Sequence, residues 1–138
     1  MVWRLEMIEA VLAIDLQLRQ LCAISVDLSQ SYACYPIAIG KQSTPTPTGN
    51  FEVSRLVSDP QYVSCQTGVN HGTGFLGDYA IVTNLDTVLP NCKFAIHGTN
   101  SPHEVLNRKA ITGGCNRMLN EDISEIVNNY RFTKGIVR

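Results

Sequence analysis

The segment Thr44-Pro45-Thr46-Pro47-Thr48-Gly49 can be neither helix nor central strand, because each proline lacks a ladder donor and holds the residue before it in extended backbone. It reads as a stiff, exposed connection. The fold must be assembled from the pieces on either side of it, and those pieces alternate. Val11 to Arg19 carries Leu12, Ile14, Leu16 and Leu18 at every second position, the period that sends one side-chain set to one face of a strand. For Met1 to Ala10 a turn of helix is the alternative reading. From Leu21 the order LCAISV, DLSQ, SYACYPIAIG is that of a β-hairpin. A turn centred between Leu28 and Ser29 sets Cys22 nearly opposite Cys34. The two are expected as facing, buried thiols rather than a disulfide, whose geometry is demanding.

Beyond the prolines, FEVSRLV (51–57), YAIVTNL (79–85) and KFAIH (93–97) read as further strands, the last delivering His97 to a strand end. Residues 58–77, rich in Gly, Ser, Asn and Thr, read as one long loop. Ser101-Pro102-His103-Glu104 has the form of a capping box opening a short helix through Val105 and Leu106. Asn120 is expected to cap a second helix, with Glu121 and Asp122 at its positive end and Ile123, Ile126, Val127 and Tyr130 as its apolar stripe. GIVR reads as a last strand. With no repeat or linker in 138 residues, against about 100 to 200 per domain, the expectation is one domain over 1–138, mostly antiparallel β with one or two short helices.

A formal charge of −1 leaves no basic surplus to hold a nucleic-acid backbone or an anionic membrane, so neither is an expected partner. Charged residues, at 17%, are too few for a disordered or coiled-coil chain, and a monomer is expected. Five cysteines are too sparse for a disulfide scaffold, include no Cys-x-x-Cys pair, and by their odd number leave at least one thiol free. Glu6, Glu9 and Asp15 interrupt the apolar run that a secretory leader or membrane span needs, so this stretch reads as carrying no export signal.

Chemistry concentrates at ITGGCNRM. Two glycines before Cys115 and two polar residues after it are poor composition for a strand or helix interior, so Cys115 is read as a loop cysteine. Gly113 and Gly114 let consecutive amides gather around an oxyanion formed on a carbonyl that the sulfur attacks. A thiol of ordinary pKa, about 8.5, needs a base or cation nearby, and His97 is the best-placed candidate. On spacing alone the alternative stands level: Cys115 a small buried residue and His97 a hydrogen-bonded core histidine. Arg117 could receive a substrate carboxylate or hold the loop, the second being favoured. His71 is read as solvated and His103 as exposed. A zinc site of Cys92, His97, His103 and Cys115 matches no common spacing, so no metal is expected. Cys65 and Cys92 read as ordinary buried thiols.

The combination of TPTPTG (44–49), HGTN (97–100) and TGGCNRM (112–118) resembles the L,D-transpeptidase catalytic domain, or YkuD domain, of bacterial cell-wall enzymes. AIDLQLRQL (13–21), YPIAIGK (35–41) and NEDISEIV (120–127) extend the resemblance from about residue 13 to the C-terminus. It implies a β-sandwich-like fold and an enzyme of peptidoglycan biosynthesis and cell shape that needs no cofactor. Cys115 would attack the L-centre carbonyl of the third residue of a peptidoglycan stem peptide, releasing D-alanine and forming a thioester. An amine of a second stem would resolve it. An L,D-carboxypeptidase on the same scaffold and a non-catalytic wall-binding relative are the alternatives. Matched residue by residue, Cys115 is the nucleophile and His97 the general base. Gly114 and the Cys115 amide belong to the oxyanion site, which Thr112, Gly113, Gly98 and Arg117 complete. The family also implies an extracytoplasmic location, periplasm or cell wall.

Two positions depart from the family pattern. Gly113 stands where a histidine is usual, leaving His97 as the matching imidazole. Asn116 stands where an apolar residue is usual, and a polar amide there is expected to loosen the loop that aims the thiol. The segment from Gln66 to Asp78 is shorter than the family's substrate-side loop.

Overall fold

A computed structural model describes residues 6–138. In chain order the elements are β1 (Ile8–Glu9), β2 (Val11–Asp15), β3 (Gln20–Ile24), β4 (Ser31–Pro36), β5 (Ile39–Gly40), β6 (Gly49–Ser58), β7 (Gln61–Val63), β8 (Asn70–Thr73), β9 (Tyr79–Asp86) and β10 (Lys93–His97). Then come α1 (Pro102–Leu106), β11 (Ala110–Thr112), β12 (Asn116–Arg117), α2 (Asn120–Asn129), β13 (Tyr130–Arg131) and β14 (Lys134–Val137). Eight strands form one sheet in the order β12-β10-β9-β6-β14-β2-β3-β4. The ten-residue β6 runs down its middle, pairing β9 on one side and β14 on the other. Only β14–β2 and β10–β12 within that sheet are parallel.

The sheet closes around a shared core. Leu12, Ile14 and Leu21 from one end, Phe94 and Ile96 from the other, Phe51 from the middle and Ile123 and Ile126 of α2 belong to one buried cluster. Strand ends so far apart in the sheet order share a core only if the sheet folds over, as two packed layers do. This is the expected mostly β, sandwich-like architecture, with two short helices among the described residues.

Several local expectations give way. The alternation from Val11 to Arg19 is not one strand: β2 stops at Asp15, whose Oδ1 accepts the amides of Gln17 and Leu18, each at 2.9 Å. That turn, with Arg19 at φ 53°, leaves Leu18 exposed. The helix turn expected for Met1 to Ala10 lies partly outside the described residues, and within them Ile8 and Glu9 pair with β13 as a strand. Residues 58–77 are not one loop, since β7 and β8 pair antiparallel there. Both are short and exposed, so they carry no apolar alternation to read.

The cysteines differ too. Cys22 faces Cys34 across β3 and β4 as expected, but the two are joined as a disulfide. Cys65 and Cys92, expected as separate thiols, form a second one. The register of one hairpin places the first pair, whereas the second joins residues 27 apart through a fold that no local pattern encodes. Its bond to Cys65 also removes Cys92 from any zinc set.

Candidate active site

His97 closes β10, and β12 lies parallel beside it with Ile96 opposite Asn116 and His97 opposite Arg117. Side chains alternate across a strand, so Ile96 and Asn116 turn to the interior, where both are fully buried. Arg117, Ala95 and His97 therefore share the other face, and Cys115 enters just ahead of Asn116 with its thiol beside the Lys93 and Ala95 backbone. A bulge between Lys93 and Ala95 breaks the β9–β10 ladder just there. Bulges commonly re-aim side chains beside active sites. Cys115 is the free cysteine and is half-buried.

The histidine is buried, and its Nδ1 stands 2.6 Å from the Gly98 carbonyl oxygen. A carbonyl only accepts, so Nδ1 carries the proton and Nε2 keeps its lone pair. Burial pulls the His97 pKa from its ordinary 6.5 down to about 4, the Gly98 bond opposes this, and the Arg117 charge adds to it. Burial pushes the Cys115 thiol up, against the Ala95 amide and the Arg117 charge, which favour the thiolate. At neutral pH both groups are thus uncharged. The thiol's hydrogen bond runs to the Lys93 carbonyl at 3.9 Å and not to the imidazole.

The bend before Cys115 is pinned by Thr112, which is buried. Its hydroxyl donates to the Cys115 carbonyl at 2.5 Å and accepts the Gly114 amide at 3.1 Å. Gly114, expected to offer that amide to an oxyanion, thus has it engaged. It adopts φ 125°, open to glycine, and a side-chain carbon there would also meet Thr87 at 3.2 Å. Gly113 is exposed beside Leu89. The guanidinium of Arg117 is paired with the Glu104 carboxylate of α1, and its backbone exchanges two hydrogen bonds with Ala38, each at 3.0 Å.

Some supporting residues went unread. The capping box does not form: Ser101 makes no side-chain cap and Glu104 turns to Arg117 instead. Leu119, not Asn120, occupies the cap position of α2, and Asn120 Oδ1 accepts the Asp78 and Thr99 amides, tying down the turn after His97. The proline segment is not simply exposed, because Thr46 is buried against Asn116. His103 is exposed, and so is His71, whose ring lies 4.9 Å from that of Tyr62.

A free cysteine at a glycine-lined bend and a strand-end histidine thus lie close to the same arginine side chain. The chain belongs to the L,D-transpeptidase catalytic domain family, YkuD, which it matches over residues 9–136. It is similar to the YkuD protein of Bacillus subtilis (strain 168), 34% identical over 94 residues that are 68% of this chain and 45% of that one. A relative from Bacillus licheniformis matches at 33% over the same share of each chain. The chain thus spans under half the length of these curated relatives. Its fold is that of the Enterococcus faecium L,D-transpeptidase catalytic domain acylated by ertapenem, with a TM-score of 0.72 at 17% identity over 96% of this chain and 99% of that one. L,D-transpeptidase 3 of Mycobacterium tuberculosis, in complex with a faropenem-derived adduct, gives 0.70 at 16% over 94% and 60%.

Proposed function

We propose that this protein is a cysteine-dependent L,D-transpeptidase acting on peptidoglycan stem peptides. What supports the reading is that Cys115, just before β12, and His97, at the end of the neighbouring β10, both lie within the influence of the Arg117 charge, with the histidine held in the tautomer that leaves Nε2 free. Rotating the thiol from the Lys93 carbonyl toward Nε2 readies the pair, in keeping with the loose geometry of many unliganded sites. Nε2 takes the thiol proton as Sγ bonds to the L-centre carbonyl carbon of the third stem residue. The Cys115 and Gly113 amides receive the oxyanion, since Thr112 already holds that of Gly114. Collapse breaks the C–N bond to D-alanine, whose nitrogen takes the proton back from the imidazolium, and a thioester remains. An amine of a second stem then displaces the sulfur, giving a crosslink and restoring the thiol.

The relatives' family and the two disulfides both favour work in an oxidising place outside the cytoplasm, where the wall polymer lies. Among the described residues no helix is long and apolar enough to cross a membrane. The test is intact-protein mass spectrometry after incubation with a tetrapeptide stem or a carbapenem. The expected result is one acyl adduct on the protein and none on Cys115→Ala. An unmodified protein under conditions where the fold persists would sink the proposal.

A further inference from the structure

We infer that Thr46 and Asn116 form a positioning pair that aims Cys115, an inference that rests on the acyl-transfer reading above. Both side chains are buried, at 4% and 0% exposure. The Thr46 hydroxyl accepts the Gly40 amide at 3.0 Å and donates to Asn116 Oδ1 at 3.3 Å. Asn116 Nδ2 has no partner among the described residues, so the Thr46 bond is what orients this amide. The proline segment sits directly on β5: a side-chain carbon at Gly40 would stand 2.2 Å from the Thr44 oxygen and 2.6 Å from the Thr46 nitrogen. Two residues earlier, the Thr44 hydroxyl donates to the Thr112 carbonyl at 2.7 Å. The alternate threonines therefore grip both ends of the 112–116 bend, and Pro45 and Pro47 keep their spacing rigid.

The consequence for the nucleophile follows from the pleat. Anchoring Asn116 in the interior turns its neighbours Cys115 and Arg117 out to the face that His97 shares. An apolar side chain could settle there in more than one rotamer, whereas a buried hydrogen bond selects one. The polar residue that the sequence suggests would loosen this loop instead fastens it. Neither side chain contacts the reacting atoms, so both act through Cys115.

The test measures acylation of the full chain by a carbapenem, followed by intact mass, for Thr46→Val, Thr46→Ser, Asn116→Leu and the Thr46→Val/Asn116→Leu double variant. Alkylation of Cys115 by iodoacetamide across pH supplies a readout independent of transpeptidase chemistry. Each single loss of the bond should slow acylation by roughly 10- to 100-fold at saturating carbapenem, the scale of a small misplacement. Thr46→Ser, which keeps the hydroxyl, should match the unmodified protein. The double variant should be no slower than the slower single, because one bond serves both residues. The alkylation midpoint should move down in the single variants as water reaches the thiol, and return in Thr46→Ser. Normal acylation in the single variants, a slow Thr46→Ser, or losses that multiply in the double variant would overturn the pair. Should the unmodified protein fail to acylate, the transpeptidase reading falls, and an unmoved alkylation midpoint then overturns the pair separately. If Asn116→Leu loses its circular-dichroism signature, the Thr46→Val and Thr46→Ser comparison decides.

Discussion

At the scale of single residues, the site is built on a neutral imidazole, and this has a cost in acid. In the unfolded chain a histidine takes up its proton as pH falls through about 6.5, whereas His97 in the fold does so only near pH 4. Between these values the unfolded state binds more protons, so stability is intact above pH 6.5 and is lost on acidification through that window, by at most about 3 kcal/mol. Urea unfolding at a series of pH values should show this slope in the unmodified protein and a flatter one in His97→Gln. The same substitution should lower acylation by about 100- to 10,000-fold, the usual contribution of a positioned base. A second expectation concerns the thiol, which burial holds in its protonated form. Its alkylation rate should keep climbing as pH rises past neutrality, and a plateau below pH 7 would show instead a preformed thiolate. Cys115 and His97 stand out in the sequence as candidates because a cysteine after two glycines and a histidine at a strand end are unusual company for those residue types. Glu104, Thr46 and Asn116 were not, since each takes its meaning from a partner that the chain brings close only on folding: Glu104 meets Arg117, and Thr46 meets Asn116 from 70 residues away.

At the scale of elements, the longer strands were readable and the short polar ones were not. A strand that buries one face carries apolar residues toward the core, as β2, β6 and β9 do, but β7 and β8 project away from the core and need no apolar side. The Cys65–Cys92 bond ties their hairpin to the turn before β10, whose first residue, Lys93, carries the carbonyl that receives the Cys115 thiol. Residues suited to helix caps were likewise diverted, because Glu104 and Asn120 each meet stronger demands across the fold than at their own helix ends. The tether leads to a prediction about the hairpin. The Cys65→Ser/Cys92→Ser variant should lose about 2 to 4 kcal/mol of stability, as expected for releasing a loop of this size in the unfolded chain. Paired urea titrations of this variant and the unmodified protein would measure it. A midpoint unchanged between them would mean that the hairpin is held by packing alone.

At the scale of the whole molecule, the sheet order could not be read because it depends on which distant strands meet. The chain passes from β2 through β3 and β4 to one edge, returns through β6 to the centre, and only at its end inserts β14 between β6 and β2. That last strand joins the halves, and its Val137 lies in the same core as Ile123 and Ile126 of α2, Leu21 near one edge and Ile96 near the other. A core shared by both layers should unfold as one unit, with backbone and aromatic probes reporting the same transition. Ile123→Ala then makes a strict test, since Ile123 is fully buried and sits on a helix that only two residues separate from the strand pairing with His97. The substitution should cost about 2 to 5 kcal/mol, the range for emptying such a site. It should shift the far-ultraviolet and near-ultraviolet circular-dichroism curves together. Were the near-ultraviolet signal to melt first, the layers would be separable, and the alignment of Cys115 with His97 would depend on one layer only.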